Sequence, residues 1–258
     1  MTDQTTRFTG RVDEYVKARP SYPKGVLPFL RDKCGLRATS VVADLGSGTG
    51  LFTQLLLESG ATVHAVEPND AMRAAAEALL DEKPGFRSVA GRAEATTLRD
   101  GSVDLVTAAQ AFHWFDVELA RVEIARIVRP PASDAMSNVA LVWNDRDLDS
   151  TPFLREYEEL LVSCCPKYRE LQGKADDVAK FDRLLGRGRW QRHTVPNEQR
   201  HDREGLVQRL LSSSYAPRAG EPGHEEMLAK LREIFDQRAE KGTVVMRYTT
   251  VLIIGRAA

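Results

Sequence analysis

Short apolar, β-branched runs alternate with longer stretches of helical period along the first 150 residues of this chain. Val41-Val42-Ala43-Asp44-Leu45 is short and mostly apolar, as a strand buried on both faces would be. Residues 51–59 then take helical spacing, with Leu55, Leu56 and Leu57 on the inner side. The same reasoning predicts a strand at 62–66 and an Ala-rich helix at 70–80 with Asp70 as its N-cap. Further strands follow at 86–89, 103–108 and 139–143, with a helix at 117–128. Strand and helix in this rhythm predict a parallel sheet covered by helices on both faces.

After Trp143 the pattern changes. Residues 153–162 and 174–185 read as helices separated by Pro166 and Gly173, and 190–201 as a polar β-like stretch. Residues 204–212 and 224–240 read as helices. The run 243–255, with Val244, Val245, Val251, Ile253 and Ile254, is too rich in β-formers to be one. It is expected to pair antiparallel with 190–201 at the end of the sheet. The two prolines and small polar residues of 129–138 predict an exposed loop.

A chain of 258 residues suits one elaborated domain. Lys plus Arg number 36 against 37 Asp plus Glu, so the net charge of -1 gives no global pull toward nucleic acid or an anionic membrane. Arg187, Arg189, Arg192, Arg200 and Arg203 form a local basic cluster that reads mostly as a solvated face. Cys34, Cys164 and Cys165 are odd in number and lack C-x-x-C spacing, which argues against a disulfide framework or a metal site. The polar N-terminus lacks the apolar run of a signal peptide, and no apolar stretch is long enough to span a bilayer. The expectation is a cytoplasmic protein without a metal.

The strongest chemical signal is Asp44-Leu45-Gly46-Ser47-Gly48-Thr49-Gly50, set between a strand and a helix. Glycines at alternate positions allow a tight turn and keep side chains away from a ligand. The following helix offers free N–H groups. A dinucleotide fingerprint would read G-x-G-x-x-G and leave room for a pyrophosphate, which Asp44 in front of the loop would repel. An acidic residue there suits a ligand with a cationic amine. Glu67 ends the second strand, where a carboxylate can accept from a ribose diol. Taken alone, the glycine turn could serve packing only.

With these residues the chain resembles the class I S-adenosylmethionine-dependent methyltransferases, over nearly its whole length. Asp44 to Gly50 resembles their first motif and Glu67 their ribose acid. Gly91-Arg92-Ala93-Glu94 with Leu98 resembles the adenine flank, and Asp104-Leu105-Val106 leading to Gln110-Ala111-Phe112-His113-Trp114-Phe115 the fourth motif. The opening Tyr15 to Pro23 and the later Ser213-Ser214-Tyr215 are similar to the small-molecule branch called methyltransferase type 11, which includes trans-aconitate methyltransferase-like enzymes. A compact Pro-Gly-Gly turn of that family is replaced here by Pro130-Pro131 and a polar loop. The resemblance implies an α/β, Rossmann-like three-layer sandwich with a seven-stranded, mostly parallel sheet, one antiparallel strand, and a helical lid. It implies S-adenosyl-L-methionine as cofactor, held by Tyr22, Asp44, Gly46, Ser47, Gly48, Thr49, Gly50, Glu67, Pro68, Met72, Ala93, Glu94, Gln110 and Ala111.

The acceptor side is less defined. Trp114 and Phe115 either shield a sulfonium or line the acceptor pocket, or anchor the next helix, the reading preferred for Phe115. His113 either takes a proton from a hydroxyl acceptor or holds the loop. A carboxylate acceptor, toward which the resemblance leans, is ionised near neutral pH and needs no base. Arg19 either forks onto such a carboxylate or pairs with Asp13 or Glu14. Tyr15, Trp143 and Tyr215 complete the candidate substrate pocket, although Trp143 and Tyr215 could equally fill the core.

The expected organisation is one methyltransferase domain: an N-terminal helical lid at 1–37, a cofactor core at 38–148, a helical cap at 149–189, and sheet completion at 190–258. The lid and the helices between 151 and 186 are expected to cover the acceptor pocket. The expected partner is a small-molecule acceptor, with no nucleic acid and no membrane. An oxidoreductase would need the longer glycine spacing. A base-modifying methyltransferase would want basic surface and an Asn/Asp-Pro-Pro-aromatic run where this chain has Gln110-Ala111-Phe112-His113. A module that binds the cofactor without catalysis is the remaining alternative.

Overall fold

The computed structural model describes residues 20–130, 137–169 and 177–257. Seven strands form one sheet: β1 Val41–Leu45, β2 Thr62–Val66, β3 Phe86–Val89, β4 Leu105–Ala109, β5 Val139–Arg146, β6 Trp190–His201 and β7 Val244–Gly255. Their order is β3-β2-β1-β4-β5-β7-β6. Strands β1 to β5 are parallel, and β7 runs antiparallel to both β5 and β6, so it is the reversed strand. The chain winds one way from β1 to β3 and the other from β4 onward. The carboxyl ends of β1 and β4 therefore flank a crevice, where open α/β sheets bind ligands.

Helices cover both faces. On one, α1 (Val26–Cys34) and α2 (Leu51–Leu57) bury Val26, Leu30, Phe52 and Leu56 against Val42, Val63, Ala140 and Leu252. On the other, α4 (Val117–Ile127) and α7 (Val178–Leu185) bury Ile124, Ile127 and Phe181 against Leu141, Trp143, Val251 and Ile253. Even-numbered β7 residues thus meet the first layer and odd-numbered ones the second, as strand alternation requires. Helix α3 (Asp70–Leu80) packs through Ala76 and Leu80 on Ala65 and Phe86.

The described part of 1–37 holds α1, which is a sheet-covering layer. The expected cap divides in two. Helices α5 (Pro152–Cys164) and α6 (Pro166–Arg169) join α8 (Arg203–Leu211), α9 (His224–Arg238) and the start of β7 in a second core, with Phe153, Tyr157, Leu206, Leu231 and Met246. Helix α7 lies instead on the sheet beside α4, with Phe181 stacked on Trp143 at 5.5 Å.

Several boundaries differ from expectation. Helix α3 is capped by Asn69, whose side chain accepts from Met72 N, while Asp70 falls inside the first turn. Strand β4 starts at Leu105 because Asp104 turns its carboxylate to Val41 N at 2.8 Å. Strand β5 extends to Arg146, past its apolar run, because β7 supplies partners there: Asn144 faces Thr250 and Arg146 faces Tyr248. Residues 131–136 of the expected exposed loop, and 174–176 of the expected helix, lie outside the described residues. Asn138 is buried, donating through N to Gly255 O and accepting from Ala257 N, so the loop's end is core. All five arginines of the basic cluster are exposed, and the three cysteines are free.

Candidate active site

The glycine turn crosses from β1 to α2 with Gly46, Gly48 and Gly50 all at positive φ. Space decides what each glycine is for. A Cβ on Gly46 would stand 2.6 Å from Ala111 Cβ, and one on Gly50 would stand 2.6 Å from Leu80 Cδ1. A Cβ on Gly48 would meet nothing within 4 Å, so its bare backbone faces open space. Val66 O accepts from Gly46 N and Ser47 N, pinning the turn to the end of β2.

Glu67 follows β2 directly and is buried. Its Oε2 accepts from Gly48 N and its Oε1 from Asn69 N, each at 2.9 Å. Burial raises its pKa, and those two N–H groups and Arg73 oppose the rise. One carboxylate therefore fastens the glycine turn to the cap of α3 and still borders the cleft.

Asp44 lies behind the turn. Its carboxylate is fully buried behind the turn, accepting from Thr53 Oγ1 at 2.7 Å and Thr107 Oγ1 at 2.8 Å, and it is not among the residues bordering the cleft. It ties α2 to β4. Burial above all, with a small push from Glu67, raises its pKa to about 6.

The cleft is bordered on one side by Gly46, Ser47, Gly48, Thr49, Leu51, Phe52, Glu67, Pro68, Asn69 and Met72. Arg92, Ala93, Glu94, Ala109, Gln110, Ala111, Trp114 and Phe115 form the other, with Pro20, Tyr22 and Asn144 at the rim. Of the expected cofactor residues it brings together all but Asp44 and Gly50. Ala93 and Glu94 are presented by a turn that Glu123, buried on α4, holds through Thr96 N at 2.7 Å and Thr96 Oγ1 at 2.5 Å. Glu94 accepts from Asp116 N. Gln110 sits at φ 55°, a left-handed conformation unusual for a side-chain-bearing residue, and its Nε2 donates to Asn144 O.

The acceptor candidates scatter. Tyr15 and Arg19 lie outside the described residues. Trp114 borders the cleft; Phe115 does both jobs, packing on Phe112 and bordering the cleft. His113 is exposed, with its ring 4.7 Å from Trp114, and borders a separate small hollow with Trp143, Asp177 and Lys180. Trp143 is a core residue stacked on Phe181. Tyr215 lies beyond the end of α8, packed on Tyr168 at 4.9 Å in the second core and away from the cleft. Among the described residues none from α5 to α7 borders the cleft, while Lys180 and Phe181 of α7 border the hollow beside Gln110 and Ala111.

Asn69 and Asn144 were missed. Asn69 was legible as an N-cap two residues after Glu67. Asn144 carried no local signal, because it stands where the apolar run of β5 has ended. Its Oδ1 accepts from Thr250 Oγ1 at 2.5 Å and Asn197 Nδ2 at 3.2 Å, and its Nδ2 donates to Ser21 O at 3.4 Å.

Two buried polar atoms in the cleft wall, Ser47 Oγ and Thr49 Oγ1, have no hydrogen-bond partner. Orphaned hydroxyls beside a bare glycine backbone fit a polar ligand lying on the turn. Among the described residues no group of three or more His, Cys, Asp or Glu is placed to hold a metal, and no helix is long and apolar enough to cross a membrane.

Residues 43–133 match the family model described as "Methyltransferase domain". An uncharacterized methyltransferase of Mycobacterium tuberculosis is 38% identical over 159 residues, 62% of this chain and 60% of that protein. A methyltransferase-like protein of Schizosaccharomyces pombe is 37% identical over 155 residues, 60% of this chain and 57% of its own length. The matched segment thus spans less than two thirds of these relatives. A solved structure from Anaeromyxobacter dehalogenans aligns with TM-score 0.63 at 23% identity, covering 93% of this chain and 97% of that one. The YcgJ protein of Bacillus subtilis aligns with TM-score 0.52 at 19% identity, covering 92% and 100%. Both are likenesses of fold. Glycine turn, Glu67, sheet order and family match agree, and residues 43–133 are similar to the methyltransferase domain family.

Proposed function

We propose that this protein transfers the methyl group of S-adenosylmethionine to a small-molecule acceptor, with a carboxylate as the methylated group. The observation that carries the cofactor is the turn itself. Glu67 braces Gly48 while bordering the cleft, next to the unpartnered hydroxyls of Ser47 and Thr49. Glu67 would accept from the ribose, Met72, Pro68 and Ala93 would flank the adenine, and the turn's backbone would carry the amino-acid portion. S-adenosylmethionine supplies, when bound, an electrophilic methyl carbon on a sulfonium. Trp114, Phe115 and Tyr22 would wall that centre, excluding water and offering aromatic faces to its positive charge.

The lean toward a carboxylate draws on what the cleft lacks. No histidine or lysine among the described residues borders it, and His113 faces another hollow. An acceptor already ionised at neutral pH needs no such base. The near-zero net charge favours a small molecule over a nucleic acid.

The test is calorimetric titration with S-adenosylmethionine and S-adenosylhomocysteine, with NADH as control, on the protein and on Glu67→Ala, followed by labelled methyl transfer to small carboxylic acids. Micromolar binding of the sulfur ligands, weakened roughly 10-fold to 100-fold by the substitution, is expected. A folded protein that binds neither sulfur ligand would overturn the reading.

A further inference from the structure

The segment leading into α1 rests on the edge strand β6. Along β6, Asn197, Val195 and His193 stand on one face, two residues apart. Ser21, Gly25 and Phe29 pass them four residues apart and in the opposite order. Ser21 O accepts from Asn197 Nδ2 at 2.8 Å. A Cβ on Gly25 would stand 2.9 Å from Val195 Cγ1, and the Phe29 ring lies 5.3 Å from that of His193. Four residues of helix rise about 6 Å and two of strand about 7 Å, so α1 and β6 keep pace.

Tyr22 links this contact to the cleft. It is buried, its ring meets that of Phe52 edge-on at 4.8 Å, and Pro20, Tyr22, Leu51 and Phe52 all border the cleft. Leu51 and Phe52 open α2 directly after Gly50. Pro20 and Pro23 fix φ on either side of Ser21 and Tyr22 and have no N–H, which makes the carbonyl of Ser21 a handle for this stretch. The orientation of two amides follows from that carbonyl. Asn144 Nδ2 donates to it at 3.4 Å, and Asn144 Oδ1 accepts from Asn197 Nδ2 at 3.2 Å and from Thr250 Oγ1 at 2.5 Å. Reversing either amide would set like groups against each other. Of the two bonds to Ser21 O, the one from Asn197 is the shorter and carries the hold.

We infer that Asn197, which does not itself border the cleft, is a positioning residue for the donor site. Its amide holds Ser21 so that Pro20 and Tyr22 stay as the wall at the rim and slow the departure of a bound donor. The inference rests on the methyltransferase reading only in naming S-adenosylmethionine as what the wall encloses. It makes donor residence depend on a strand more than 170 residues further along the chain, on the far edge of the sheet from the glycine turn.

The experiment compares the whole protein with Asn197→Asp, which keeps the side chain's shape and replaces the donating amide by an accepting oxygen. Asn197→Ala is the second variant should the added charge disturb folding. Phe29→Leu is the comparison, since it loosens α1 on β6 beside His193, away from the cleft. S-adenosylhomocysteine is titrated calorimetrically, and its dissociation is timed by displacement with excess S-adenosylmethionine. Hydrogen exchange of a peptide covering residues 20–27 is followed without ligand; it includes Val26 N and Leu27 N, which donate to Pro23 O and Lys24 O. Both Asn197 variants should bind about threefold to tenfold more weakly, the scale of one hydrogen bond, chiefly through faster dissociation. Exchange within 20–27 should quicken in both. Phe29→Leu should lower the melting temperature while affinity stays within about twofold. Unchanged affinity in the Asn197 variants, unchanged exchange, or equal weakening by Phe29→Leu would overturn the inference. Failure of the unaltered protein to bind S-adenosylhomocysteine would instead overturn the methyltransferase reading, and the ligand-free exchange would still decide whether Asn197 holds the segment.

Discussion

Glu67 and Asn144 both border the cleft from just past the apolar run of a strand, yet they are held in opposite ways. Glu67 accepts from Gly48 and Asn69, 19 and 2 residues away. Asn144 is fixed by Ser21, Asn197 and Thr250, 123, 53 and 106 residues away. The glycine-turn side of the cleft is thus built from consecutive βα turns whose parts are close in sequence. The Asn144 side is assembled where the reversed strand β7 brings late segments beside β5. A locally encoded site depends on backbone geometry at a few positions, and a remotely encoded one on the register of a sheet.

The largest effect should come from breaking the local half at Gly50. Alanine there would need φ near 84° and would press within 2.6 Å of Leu80 Cδ1 and 3.3 Å of Ala76 Cβ. Left-handed strain and overpacking together should cost about 2–4 kcal/mol and reduce donor affinity at least a hundredfold. Gly48→Ala is the control. It shares the positive φ but meets no neighbour, so it should lose only about 1–2 kcal/mol. Urea unfolding and calorimetry on the two variants separate packing from conformation; equal losses would show that the crowding at Gly50 is relieved by a shift of α3.

Asp44 tests whether the buried brace or the ligand needs its charge. Its pKa of about 6 lies above the ordinary 3.8, chiefly through burial. Below pH 4 both folded and unfolded chains hold the proton and the group favours folding fully. Between pH 4 and 6 the unfolded chain releases a proton that the folded one keeps, so this contribution is lost as pH rises through about 6. The difference amounts to roughly 3 kcal/mol. Unfolding measured from pH 4 to 7.5 should show that slope in the native protein, and Asp44→Asn should remove it. An unchanged slope would mean that Asp44 ionises freely in its pocket.

Asn144→Ala addresses the remote half. It leaves the buried Thr250 hydroxyl without its acceptor and releases Ser21, which should cost about 1–3 kcal/mol. The loss should appear in stability and in acceptor KM while donor affinity changes little. A donor affinity lowered as much as by Glu67→Ala would erase the distinction between the halves.

This division also explains what could be read in advance. The strands β1, β2 and β3, the glycine turn and Glu67 were legible because period, spacing and turn chemistry act over a few residues. The antiparallel pairing of 190–201 with 243–255 followed from β-branched composition. The extension of β5 through Asn144 and Arg146 did not, because those polar residues take strand geometry only through β7. Asp44 was legible as an acid at the right place but not in its orientation, which Thr53 and Thr107 set from α2 and β4. Tyr215 and Trp143 were left between pocket and core because an aromatic near a strand or helix end is consistent with both, and only packing decides.

The smallest effect should come from His113, the candidate base offered by the sequence. A general base contributes roughly 100-fold to 10,000-fold to a proton-transfer step. His113 is exposed and lies on a hollow shared with Trp143, Asp177 and Lys180, not on the cleft beside Glu67. His113→Asn should therefore leave kcat within about threefold of the native value once an acceptor is in hand. The pH profile should show no inflection between 6 and 7 that the substitution removes. A hundredfold loss of kcat with donor affinity intact would instead make His113 a base that swings over the cleft when the acceptor binds. In that case the acceptor would carry a hydroxyl, since an ionised carboxylate has no proton to give.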